Sequence, residues 1–217
     1  MTARLQLLQT VASEIEEMVD ATILRVGIDG VDGAGKTYFA DELAAQITSL
    51  PVIRASVDFF HNPRAVRYSQ GKDSPVGFFE DSYNYQLFKE YLLDPLSPNG
   101  SLTYRTKAFD HTTDRPVESP AKQISLPSIL IVDGIFLHRP ELVNYWDYSL
   151  FLKVSTGESV RRCEIREGIV EGRADPDDPK YRRYVQGQAI YLSQCNPELQ
   201  ADRVVDNEHL DSPFFVR

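Results

Sequence analysis

Cysteine is scarce. Only Cys163 and Cys195 occur in 217 residues, and they form no CxxC or zinc-ligand spacing. That excludes a disulfide scaffold and a zinc-built fold, and leaves free thiols in a reducing cytoplasm as the expected state. Long apolar runs are missing too: no stretch approaches the ~20 residues that cross a bilayer, so no membrane partner is expected. The N-terminal segment carries Glu14, Glu16, Glu17 and Asp20 and no basic head. Neither a signal peptide nor a transit peptide is expected from it. Positive charge is in deficit, with 23 bases against 32 acids and a net charge of −9. Broad nucleic-acid binding needs a basic face, so it is not expected. One local basic pocket for a small anion remains compatible with that balance. Internal repeats and low-complexity tracts are also missing.

What is present fits a globular chain. Hydrophobic residues make up 42% and charged residues 25%, which is ordinary for a packed domain. The length suits one domain, or one domain with a lid. Leu5, Leu8, Val11, Ile15 and Met18 recur at helical spacing and predict a helix over 3–19. Ile23–Ile28 reads as a buried strand, followed by a helical pattern from Thr37 to Ser49. A second strand is expected at Val52–Val57, closed by Asp58. Residues 62–115 mix aromatics, Gly and Pro, with a helix at Tyr85–Leu93. Ser128–Val132 is a strong buried-strand signal. A strand at Tyr148–Val154, a helix at Glu158–Gly168 and a last strand around Val204-Val205 follow. Short strands alternating with helices imply an α/β fold of three layers around a mainly parallel sheet.

The segment Gly30-Val31-Asp32-Gly33-Ala34-Gly35-Lys36-Thr37 fits GxxxxGK[ST] without a gap. It lies between an expected strand and an expected helix, the setting in which this pattern cradles phosphates. Glycines let the backbone curl so that several N–H groups converge on one anion. The helix that follows adds unpaired N–H groups and a positive dipole end. Lys36 can reach the β- and γ-phosphates, and the Thr37 hydroxyl can hold Mg²⁺. Gly30, Asp32, Gly33, Ala34, Gly35, Lys36 and Thr37 are therefore the nucleotide-binding candidates. Asp133, after an apolar strand, is the expected second anchor for hydrated Mg²⁺ beside Thr37. Such a loop alone does not choose among GTPases, ATPases and small-molecule kinases.

Four segments in order narrow the choice: GIDGVDGAGKTYFADELA, VDFFH, IVDGIF and RRCEIREGIVEGR. Together they resemble the uridine kinase and phosphoribulokinase group of small-molecule kinases, most of all its uridine kinase-like branch, over about residues 22–206. The resemblance implies a phosphate-loop nucleoside-triphosphatase fold with a small arginine-bearing lid over about residues 160–183. It also implies that Asp58 orients or deprotonates an acceptor hydroxyl, as a general base does. His61 stands where the family has tyrosine, and Asp133-Gly134 where it has Glu-Gly. Arg166 and Arg173, with Arg161 and Arg162 nearby, resemble the arginines that close over the nucleotide and stabilise the moving phosphoryl group. Phe78-Phe79-Glu80-Asp81-Ser82-Tyr83 resembles the segment that holds sugar hydroxyls, so Glu80, Asp81 and Tyr83 are acceptor candidates. Tyr104, Phe109 and Asp110 resemble the segment that holds the base, but His111 lies too early for the family's histidine.

The reading is a kinase that moves the γ-phosphate of ATP, with Mg²⁺, onto a hydroxyl of a small nucleoside-like or sugar substrate. Lys36, Asp58, Arg166 and Arg173 are its catalytic candidates. Nicotinamide riboside, pantothenate, a sugar or a sugar phosphate stay open as acceptors, and so does a regulatory ATPase. A GTPase would need an Asn-Lys-x-Asp segment, and none of the seven lysines follows an asparagine. The sequence leaves the oligomeric state open.

Overall fold

The computed structural model describes residues 2–169 and 175–217. The chain opens with α1 (Ala3–Met18), capped by the Thr2 hydroxyl, which accepts from the Leu5 amide. The buried face of α1 is Leu7, Leu8, Val11, Ala12 and Ile15. Met18, expected in the apolar stripe, is the last residue of the helix and is exposed. β1 (Ile23–Gly30) follows, buried at every position. It leads through the glycine loop into α2 (Lys36–Gln46).

β2 (Val52–Ser56) ends two residues before Asp58, which lies instead in a 3₁₀ turn over Val57–Phe60. Ser56 caps that turn by accepting from the Asp58 amide, so the strand stops where the cap begins. Between β2 and the next central strand lie α3 (Pro75–Asp81) and two small two-stranded ladders. The helix expected at Tyr85–Leu93 is α-helical only to Phe88 and continues as a π turn to Leu93. β3 (Ser128–Asp133) is buried throughout, and β4 (Tyr148–Lys153) is buried but for its last residue. α4 (Thr156–Arg166), capped by Ser155, α5 (Arg182–Cys195), β5 (Arg203–Asp206) and β6 (Phe214–Phe215) complete the chain.

The six central strands run in the order β6-β5-β4-β1-β3-β2. All pair in parallel except β6, an antiparallel edge strand on β5 that sequence periodicity did not signal. The expected three-layer α/β architecture with a mainly parallel sheet is therefore observed. Alternate residues of the central strands feed two cores. Ile129 and Ile131 face Val11, Ile15, Phe39 and Leu43 of α1 and α2. Leu130 and Val132 face Phe78, Phe88 and Tyr191 on the other side. This alternation is the period-two geometry of a strand covered on both faces. Each such fully buried side chain contributes roughly 1.5–3 kcal/mol.

α5 packs closely on α3. A Cβ at Gly187 would lie 2.7 Å from Phe78 Cδ1, so a hydrogen at this position sets the helix separation. Both cysteines are free. Among the described residues no helix is long and apolar enough to cross a membrane.

Candidate active site

Parallel pairing places the carboxyl ends of three strands side by side. Ile28 of β1 and Ser56 of β2 both sit opposite Asp133 of β3. Groups that follow these strands therefore meet at one edge of the sheet, where open parallel sheets bind ligands. The glycine loop leaves β1 at this edge. Gly33 has φ +69°, and a Cβ there would lie 2.5 Å from the Ser159 carbonyl oxygen of α4. The α2 helix starts after Gly35 with no side-chain cap, so its first amides are left for an anion.

The loop is fastened by residues far away in sequence. The Asp32 amide donates to Gln188 Oε1 of α5 at 2.6 Å, and the Ser159 hydroxyl donates to the Asp32 carbonyl at 2.7 Å. Arg162 donates to the Gly33 carbonyl at 3.2 Å and to the carbonyls of Asn207 and Glu208. Asn207, fully buried after β5, donates from Nδ2 to the Ala34 carbonyl at 2.7 Å. Beneath the loop, the buried Asp29 accepts from the Gly30 amide at 2.7 Å and from the Tyr191 hydroxyl, and lies 2.7 Å from His138 Nδ1.

The two metal-ligating candidates meet. Thr37 Oγ1 donates to Asp133 Oδ2 at 2.8 Å. Asp133 Oδ1 is held by Arg54 Nη2 at 2.8 Å, and Arg54 also donates to the Ile131 carbonyl and to Asp41. One hydroxyl and one carboxylate fit Mg²⁺, which keeps several waters and takes few protein ligands. Among the described residues no group of three or more His, Cys, Asp or Glu forms a self-sufficient metal cage. Lys36 Nζ donates to the Val31 carbonyl at 2.8 Å, bent back over its own loop.

A cavity of about 720 Å³ opens over the loop. Asp32, Lys36 and Thr37 line one wall; Asp58, Ile135 and Arg166 also line it. Asp58 Oδ1 accepts from the Tyr83 hydroxyl at 2.9 Å, and the Asp58 carbonyl lies 2.8 Å from His61 Nδ1. The His61 ring lies 4.5 Å from Tyr83 and 4.9 Å from His111 between centroids. Burial lowers the His61 pKa, partly offset by its contacts with Asp58 and reinforced by His111 and Arg67. Burial, then the nearby Asp58 and Asp32 charges, push the Tyr83 hydroxyl well above its usual range, so Tyr83 stays a donor. The Asp32 carboxyl is raised first by burial and also by Asp58, against the lowering effect of Lys36 and Arg166.

Other candidates lie elsewhere. The Glu80 and Asp81 carboxylates accept from Gln70 Nε2 at 3.2 and 2.9 Å and are not among the residues lining this cavity. Tyr104 and Phe109 are buried in packing, and Asp110 accepts from the Thr112 amide at its own turn. Tyr104 packs in the main core and pairs with Lys122, while Phe109 and Asp110 pair with Pro116 and Arg115. Arg161 and Arg162 both pair with Glu158 at 2.6 Å. Arg173 lies outside the described residues. Sequence reasoning missed Arg54 and Ser159 altogether. Gln188 and Asn207, which also hold the loop, carry no motif that marks them. Polar residues just past a strand end, as Asn207 is, were the available signal.

No family model matches the sequence. Several solved structures share its fold. A protein described as a possible uridine kinase from Bacillus stearothermophilus superposes with a TM-score of 0.70 at 20% identity, covering 91% of this chain and 96% of that one. A protein described as a fructose transport system kinase from Silicibacter sp. TM1040 gives 0.63 at 20% identity, covering 82% and 93%. A D-glycerate 3-kinase from Cryptococcus neoformans var. grubii gives 0.54 at 13% identity, covering 89% and 87%. At these identities the likeness is one of fold.

Proposed function

We propose that the protein is an ATP-dependent kinase that phosphorylates a hydroxyl of a small nucleoside-like or sugar substrate. One observation carries this reading: Lys36 and Thr37 of the glycine loop line the same cavity as Asp58. A phosphate donor and a hydroxyl acceptor would thus meet within it. Three of the structures with this fold carry kinase names, and these support it.

The loop amides and the start of α2 bind the triphosphate. Lys36 swings from the Val31 carbonyl onto the β- and γ-phosphates. Thr37 and Asp133 would hold the Mg²⁺ of the nucleotide complex, which neutralises charge on the phosphate oxygens. Asp58, aligned by Tyr83, takes the acceptor proton as its oxygen bonds to the γ-phosphorus. The bond from that phosphorus to the β-bridging oxygen breaks, and ADP leaves. Arg166 spreads the charge of the moving group. Most of the acceleration comes from position and electrostatics.

The test is γ-labelled ATP with Mg²⁺ and a panel of nucleosides, sugars and small hydroxy acids. Acceptor-dependent transfer is expected. Asp58→Asn should lower kcat by about 100-fold or more while ATP still binds. Transfer at the wild-type rate by that variant, or ATP hydrolysis indifferent to every acceptor, would overturn the reading.

A further inference from the structure

We propose that the Asp32 side chain belongs to the acceptor rather than to the nucleotide, holding a second hydroxyl beside the one that Asp58 activates. The inference rests on the kinase reading above and narrows its substrate class to uncharged polyols.

The backbone of Asp32 is already engaged. Its amide is spent on Gln188 and its carbonyl on Ser159, so this residue offers no amide to a phosphate. Asp32 and Asp58 line the same cavity, and their carboxylates lie near enough for the Asp58 charge to act on Asp32. No hydrogen-bond donor among the described residues reaches the Asp32 carboxylate, whereas Asp58 has the Tyr83 hydroxyl on one oxygen. The fastening from α4 and α5 holds the Asp32 backbone on two sides, so the point from which its side chain extends is set before any ligand arrives.

A carboxylate turned towards a triphosphate would meet like charge. Asp32 shares its cavity with Asp58, and an acceptor molecule held there offers it O–H donors instead. Two carboxylates facing one volume accept two O–H groups from a single molecule. They repel a carboxylate or a phosphate carried close to the reacting carbon. A free sugar or a ribose fits this pair. A hydroxy acid or a sugar phosphate with its anion beside the reacting hydroxyl does not. A half-buried carboxylate with no protein donor favours the ligand that brings one over the ligand that lacks it.

The test measures kcat/KM for wild type, Asp32→Asn and Asp32→Ser with uridine, D-ribose and D-fructose, against D-glycerate and ribose 5-phosphate. ATP affinity by calorimetry and a melting curve check that each variant keeps its loop. Wild type should favour an uncharged polyol at least tenfold over either anion. Both variants should lose about 10- to 100-fold on that polyol, the worth of a hydrogen bond to a charged group. ATP affinity should hold within a few-fold. Preference for an anion, unchanged polyol turnover in both variants, or a loss confined to ATP affinity would overturn this inference alone. If no acceptor is phosphorylated, the kinase reading fails and this inference with it.

Discussion

At Asp58 a single hydroxyl does the aligning. Tyr83→Phe keeps the ring that packs on His61 and removes the hydroxyl that donates to Asp58 Oδ1. If Asp58 is the acceptor base, kcat should fall roughly tenfold, the worth of one such bond. The KM for ATP should hold in steady-state assays, since Tyr83 is not among the residues that line the nucleotide wall. His61 gives a pH signature. Burial holds its folded pKa below the unfolded value. As pH falls, the unfolded chain takes the proton first, so stability is lost below roughly pH 6.5. Melting curves from pH 7.5 to 5.5 should drop more steeply for wild type than for His61→Gln; parallel curves would remove His61 from that role. The sequence made Lys36, Thr37, Asp58 and Asp133 legible because each sits at a fixed offset from a strand or glycine. For Glu80, Asp81, Tyr104 and Phe109 the sequence does not say which face a cavity. Their segment is irregular, and irregular segments carry no periodicity that says which side chain faces a cavity.

Among the elements, the glycine loop depends on helix α4 as much as on its own residues. Gly33→Ala would force a Cβ to within 2.5 Å of the Ser159 carbonyl at a positive φ. Strain of this kind costs about 1–3 kcal/mol. Both denaturant stability and ATP affinity should fall, as urea melts and calorimetry would show. Arg162→Ala removes donors to three carbonyls, two of them beyond β5. Its cost should be about 2 kcal/mol, with weaker ATP binding rather than weaker acceptor binding. An unchanged ATP affinity in both variants would mean that the loop holds its shape without α4. The strands of the parallel sheet were readable because strands buried on both faces are continuous apolar runs. Among the features that the sequence did not signal, two show why. β6 is two residues long, too short for any period. The π turn over Lys89–Leu93 has the same apolar spacing as the α-helix it continues, so only the hydrogen-bond register tells them apart.

Across the whole molecule, ligand binding and folding are one equilibrium. A nucleotide that binds only the fastened loop adds about 2.7 kcal/mol at 100 times its Kd. For a chain of this length that raises Tm by roughly 5–10 °C. Mg–ATP should produce such a shift in wild type and little in Lys36→Ala; equal shifts would place the nucleotide elsewhere. The deficit of positive charge is compatible with this site, since Lys36 and Arg166 concentrate cations at one cavity while the excess acids keep the surface negative. The bonds that fasten the loop also impose an order in time. The partners of Asp32, Gly33 and Ala34 lie 127 to 173 positions further along the chain. During synthesis the glycine pattern therefore emerges from the ribosome long before the residues that shape it. A nascent chain halted before Ser155 would carry the phosphate-binding sequence without its geometry. Stalled ribosome complexes of increasing length should acquire ATP retention only once Asn207 has cleared the exit tunnel.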